Sequence, residues 1–124
     1  MSDVPSIYEL AGGAPAFRRL VDAFYARVEQ DPLLRPMFPA DLAPGKEHQL
    51  LFLTQYFGGP STYSALRGHP RLRMRHAPFP IDQAARDAWL DHMLAALDEA
   101  AIPEPARSAM QAYFERAASA MINR

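Results

Sequence analysis

The chain has no cysteine among its 124 residues. That excludes a disulfide framework and any thiolate metal site, so a transition metal here would need imidazole, carboxylate or a bound cofactor. A run of about 18 apolar residues is also missing, as is the pattern of a secretory signal peptide, so the expectation is a soluble, cytoplasmic protein with no membrane partner. Charge of one sign is not in surplus: 13 Lys and Arg against 14 Asp and Glu leave a formal net charge of −1. A general nucleic-acid binder would be strongly basic, so nucleic acid is not an expected partner. No segment alternates with a period of two, which leaves an all-α fold. Internal repeats and low-complexity tails are absent. What remains is a hydrophobic share of 49% in a chain long enough for one core, read as a single domain over residues 1–124.

Proline and glycine divide this domain into helical pieces. Ser6-Ile7-Tyr8-Glu9 matches the capping-box pattern and opens a very short helix that should stop at Gly12-Gly13. Phe17, Leu20, Val21, Phe24, Tyr25 and Val28 then follow helical spacing, with Pro15 in the first turn and Asp31-Pro32 as the break. Leu33 to Pro39 reads as an irregular corner. Beyond it Gly45, Gln49, Phe52, Leu53 and Tyr56 line one face of another helix, ended by Gly58-Gly59-Pro60. Ser61 to Arg75 reads as loop mixed with short helical turns. Asp82 is an N-cap for a long helix with two apolar stripes, Ala85, Trp89, Met93, Ala96 and Leu90, Leu94, Leu97, as expected of a helix buried on more than one side. The last helix should begin near Pro105 and present Met110, Tyr113, Phe114, Ala117 and Met121 on one face.

Two features point beyond packing. The first is RLRMRHAPFPI at 71–81. Pro78 and Pro80 push Ala77 and Phe79 toward extended backbone, so the chain should turn away just after His76. A histidine at a helix end can give one ring nitrogen to a metal while its other N–H is fixed by an acceptor. Arg67, Arg71, Arg73 and Arg75 crowd the same region and suit carboxylates or phosphates. Taken alone, the stretch fits a half-buried surface histidine beside solvated arginines better than a metal ligand. The second feature is a trio, Tyr25, Gln49 and Trp89, on the inward faces of three helices. Each carries a polar group that needs a partner if buried, and a small polar ligand in an apolar pocket would serve all three; simple core residues with wet tips are the competing reading.

Several of these elements, in this order and spacing, resemble the truncated haemoglobins, and specifically the second group of that family. They are Gly12-Gly13, Phe24-Tyr25, QYFGGP at 55–60, Tyr63, RGHPRLRMRHAPF at 67–79 and DAWL at 87–90. The resemblance runs over nearly the whole chain and implies a truncated globin fold, a two-over-two helical sandwich around haem b (iron protoporphyrin IX). By the same resemblance His76 is the proximal iron ligand. Phe38, Phe52, Leu53, Leu72, Met74, Phe79, Ile81, Met93 and Met121 would line the macrocycle. Arg75, Tyr63, His69 and His48 would hold the propionates.

On the distal side Tyr25 and Trp89 match the family's positions for hydrogen bonding a bound dioxygen, and Gln49 can add an amide donor. Each neutral hydrogen bond contributes about 1 kcal/mol net, so two or three would slow ligand escape by a factor of about ten to a hundred. The chain departs from relatives at three positions. Gly45 stands where many larger globins carry a distal histidine, which would widen ligand access. Phe38 stands at a corner that is often tyrosine in this group, and Gln49 at a position that is sometimes apolar. The implied function is binding of dioxygen and related diatomic ligands, with nitric oxide dioxygenation or peroxide-dependent oxidation as secondary activities. With no flavin or nicotinamide motif, such catalysis would require a separate reductase. The alternative is a cofactor-free helical interaction module in which Tyr25 and Trp89 are core and the arginines dock an acidic partner.

Overall fold

The computed structural model describes residues 4–124, and among them every regular element is helical. Ser6 Oγ accepts the Glu9 N–H at 3.1 Å, so the expected cap opens α1 (Ile7–Ala11). Gly12 closes it with φ 116°, a left-handed conformation that favours glycine, and α2 (Gly13–Glu29) begins on the next residue. The double glycine is therefore a sharp corner between two helices, with Pro15 in the first turn of the second. α2 buries Phe17, Leu20, Val21, Phe24, Tyr25 and Val28, the face read from its spacing.

Asp31 ends this run by accepting the N–H groups of Leu33 and Leu34 at 2.7 and 3.3 Å. The corner beyond it contains one 3₁₀ turn, Arg35–Met37. α3 (Ala43–Tyr56) starts two residues before Gly45, because Asp41 Oδ1 accepts the Ala43 N–H at 3.1 Å and Pro44 fits a first turn. At its far end Gly58 lies with φ 99° against Ser6, where a Cβ would come within 2.6 Å of the Ser6 Cβ. Only glycine permits this approach, which the Tyr8 N–H to Phe57 O bond of 2.8 Å holds in place.

The stretch from Ser61 resolves into two short helices, α4 (Thr62–Arg67) and α5 (Leu72–His76). Asp82 Oδ1 caps α6 (Gln83–Glu99) through the Ala85 N–H at 2.8 Å, and α7 (Ala106–Ala120) follows Pro105. α2 packs on α3, α6 packs on α7, and the two pairs meet where α2 lies against α6. This is the two-over-two arrangement. Phe17, Leu20, Phe24, Met93, Leu97, Met110 and Phe114 are sealed between the pairs. Burying them supplies the dominant favourable term for the fold. α6 touches both α2 and α7, which is why its sequence carries two apolar stripes. Among the described residues no helix is long and apolar enough to cross a membrane.

Candidate functional site

His76 is the last residue of α5, and its Nδ1 lies 2.7 Å from the carbonyl oxygen of Leu72, one turn earlier. A carbonyl only accepts, so Nδ1 carries the hydrogen, and in the neutral ring Nε2 keeps its lone pair. The imidazole lines a cavity of about 260 Å³. Leu34, Met37, Phe38 and Pro39 of the corner before α3 form one wall of it. Phe79 and Ile81, just after α5, form another, and Ala85, Arg86 and Trp89 of α6 with Ala118 and Met121 of α7 complete it. Arg86 is the one charged lining residue, and it is occupied by Asp87 at 2.9 Å and Ser119 at 3.2 Å.

The segment from His76 to Ile81 is held by the chain's end. Asn123 Oδ1 accepts the Ile81 N–H at 2.9 Å, its Nδ2 donates to Phe79 O at 2.9 Å and to His76 O at 3.4 Å, and its backbone N–H donates to Ile81 O at 2.8 Å. One asparagine thus satisfies the backbone that Pro78 and Pro80 prevent from continuing as helix.

Beside the cavity the distal candidates converge. Trp89 packs edge-on against Phe24 with ring centroids 5.4 Å apart, Phe24 against Tyr25 at 5.5 Å, and Tyr25 against Phe38 at 5.9 Å. The Tyr25 side chain is buried, and among the described residues its hydroxyl has no hydrogen-bond partner. Burial pushes the phenol up to about 12, so it remains a neutral O–H donor at physiological pH. The Trp89 indole N–H is likewise unpaired among the described residues. A Cβ at Gly45 would stand 3.3 Å from the Tyr25 hydroxyl oxygen, so this glycine leaves room at the donor. Gln49 follows one turn later on α3, and its Oε1 is buried without a partner. An orphaned buried amide oxygen is costly unless something fills it.

A cationic group lies on the same side of the fold as α4 and α5. Arg67 Nη1 is 3.0 Å from His48 Nε2, and because the guanidinium only donates, His48 accepts there. Burial, then the charges of Arg67 and Arg75, push His48 below the usual imidazole range. Arg67 Nε is buried and has no partner, Arg75 is exposed, and Tyr63 of α4 is buried edge-on against Phe52 at 5.4 Å. His69 faces solvent and accepts the Arg71 N–H at 3.0 Å.

Of the residues expected to line a macrocycle, Phe38, Phe79, Ile81 and Met121 lie on the cavity with His76. Phe52 and Leu72 are half-buried beside it in the sequence order but do not line it. Met93 and Leu53 are buried in the core cluster and do not line this cavity. Met74 is 60% exposed and faces solvent. Sequence reasoning missed Leu34, Met37, Pro39, Ala85, Arg86, Ala118 and the Asn123 clamp. Ala85 had a usable signal, one turn before Trp89 on the same stripe; small Ala118 and the irregular corner had none.

A profile of the bacterial-like globin family matches residues 6–123. The chain is 44% identical over 111 residues to Group 2 truncated hemoglobin YjbI of Bacillus subtilis, covering 90% of this chain and 84% of that one. Its structure is similar to that of a thermally stable hemoglobin from the thermophilic phototrophic bacterium Chloroflexus aurantiacus, with a TM-score of 0.96, 72% identity and coverage of 98% and 100%. It is also similar to the group II truncated hemoglobin of Bacillus anthracis, with a TM-score of 0.95, 38% identity and coverage of 98% and 94%. The chain therefore belongs to the bacterial-like globins and, among them, to the group II truncated haemoglobins, proteins that carry haem and bind diatomic ligands such as dioxygen.

Proposed function

We propose that this chain holds haem b through His76 Nε2 and retains dioxygen with Tyr25, Trp89 and Gln49. The observation that carries the reading is the His76 ring, fixed through Nδ1 on Leu72 O with Nε2 left over on the wall of an apolar cavity. A carbonyl accepting from the far ring nitrogen in this way fixes tautomer and orientation and raises the basicity of the other nitrogen. The residues present fit the group: Phe38, Phe79, Ile81 and Met121 offer apolar contact, while Arg67, Arg75, His48 and Tyr63 suit two carboxylates. Haem supplies, when bound, the iron at which a diatomic ligand is taken. The unpaired Tyr25 hydroxyl and Trp89 N–H supply hydrogen bonds to that ligand, Gln49 can add one only through its Nε2 and not its orphaned Oε1, and the surrounding aromatic rings exclude water.

Strong retention suits storage, sensing or redox chemistry better than bulk delivery. Nitric oxide dioxygenation, in which NO, O2 and one electron give nitrate, is the secondary activity of this reading, and its electron comes from a separate reductase. The test is His76→Gly. The variant is expected to lose the Soret band of the parent and to regain it with added imidazole. An unchanged Soret band and ligand field without imidazole would place the ligand elsewhere.

A further inference from the structure

Between Glu47 and Asp82 the chain contains four arginines, three histidines and not one acidic residue. The rest of the sequence carries nine cationic residues against fourteen acidic ones. Charge is thus separated along a nearly neutral chain. None of Arg67, Arg71, Arg73 and Arg75 forms an ion pair among the described residues, whereas five pairs engage Lys or Arg side chains elsewhere. Arg71, Arg73 and Arg75 are exposed on and around α5, the helix that ends in His76. Two large apolar side chains stand open among them, Leu66 at 70% and Met74 at 60% exposure. Unpaired arginines around exposed apolar residues match the composition of a protein-binding patch.

We propose that the surface of α4, α5 and the turn between them docks the acidic face of a one-electron carrier protein. This rests on the haem reading, because only then does a carrier have an acceptor behind His76: it gives up one electron, and the haem protein takes up that one electron. Arg67 and Arg75 lie with His48 toward the expected propionates, so Arg71, Arg73, Leu66 and Met74 are the groups left to meet a partner. The chemistry of the patch favours a protein over other anionic surfaces. All four cations are arginine, whose planar fork pairs bidentately with carboxylates. α4 and α5 have only six and five residues, too short for the long apolar face of a membrane-surface helix. The acidic excess on the remainder of the molecule opposes a polyanion that wraps, but it orients a partner bearing a single acidic face.

The haem-loaded protein should be titrated with a plant-type two-iron ferredoxin, whose surface is acidic, at about 10 mM and about 300 mM salt. The dissociation constant is expected to rise at least tenfold with salt, and at low salt Arg71→Glu/Arg73→Glu should weaken binding by a similar factor. Reduction by reduced ferredoxin should slow in parallel, while reduction by neutral photoreduced lumiflavin stays equal in parent and variant. A parental Soret band and far-ultraviolet dichroism in the variant show that it is folded and loaded. Ferredoxin binding indifferent to both salt and charge reversal overturns the docking face, as does tighter capture by phosphatidylglycerol vesicles than by ferredoxin. A protein without a Soret band overturns the haem reading instead, and the ferredoxin titration reads the docking face on its own.

Discussion

Tyr25 combines three properties that a ligand-retaining hydroxyl requires. It is buried, its O–H is unspent on the protein, and the glycine at position 45 sets no side chain against it. Trp89 shares the first ring contacts through Phe24, so the two donors belong to one packed aromatic row. Replacing either by phenylalanine removes a donor while keeping most of the ring volume, so packing is little disturbed. Each lost neutral hydrogen bond is worth about 1 kcal/mol, which converts to about fivefold in rate. Tyr25→Phe and Trp89→Phe are therefore each expected to raise the dioxygen dissociation rate about fivefold, measured by stopped-flow displacement with carbon monoxide. Rates equal to the parent in both variants would remove these residues from the ligand's surroundings. The family resemblance, and not the residues taken singly, brought His76, Tyr25 and Trp89 together, and His76 and Trp89 do line one cavity. The Nδ1 lock was not legible in the sequence: it depends on the carbonyl of Leu72, and any residue at position 72 has a carbonyl.

At the scale of elements, the site is assembled from pieces that short contacts hold together. The corner that carries Leu34, Met37 and Phe38 is tied to α6 through Asp31, whose Oδ2 accepts from His92 Nε2 at 2.7 Å while Arg27 donates to His92 Nδ1 at 3.3 Å. The His92 hydrogen bond holds the Asp31 carboxyl below its usual range. On the other side Asn123 ties the His76 to Ile81 segment to the end of α7. Its two side-chain bonds of 2.9 Å contribute about 1–2 kcal/mol together. Asn123→Ala should therefore speed haem loss several-fold, followed as transfer to excess apomyoglobin. Asn123→Asp, which keeps the acceptor for Ile81 but sets a carboxylate oxygen against the Phe79 and His76 carbonyls, should lose haem at least as fast as Asn123→Ala. A loss rate in Asn123→Ala equal to the parent would show that the segment holds itself. Long helices with caps and breakers, α2, α6 and α7, were readable from periodicity, and α4 and α5 were foreseen only as turns. Their ends are set by Gly68, Pro70 and contacts from distant residues such as Asn123, and a tertiary contact leaves no local pattern.

Over the whole molecule the buried phenols couple folding to alkaline pH. Tyr113 lies in the core against Tyr56, with ring centroids 4.1 Å apart, and burial pushes its phenol up to about 12, as it does for Tyr25. An unfolded chain releases these protons near the ordinary phenol value of 10.0, while the folded chain keeps them for about two further pH units. Below pH 10 both states are protonated and the phenols leave stability unchanged with pH. Above it the unfolded state binds fewer protons, so stability falls as pH rises, and the loss is complete once the folded groups ionise. Each phenol then lowers stability by at most about 2–3 kcal/mol, and solvent reaching the hydroxyl makes the loss smaller. The Tyr113 hydroxyl has no hydrogen-bond partner among the described residues, so Tyr113→Phe removes its titration without leaving an orphaned group. The variant should unfold at a higher pH than the parent, read as the midpoint of helical dichroism between about pH 9 and pH 12.5. Every other titrating group is common to both proteins, so the difference between midpoints isolates Tyr113. Identical midpoints would mean that the Tyr113 phenol ionises as readily in the folded core as in water, and the packing of α7 against α1 and the end of α3 would have to open before pH 10.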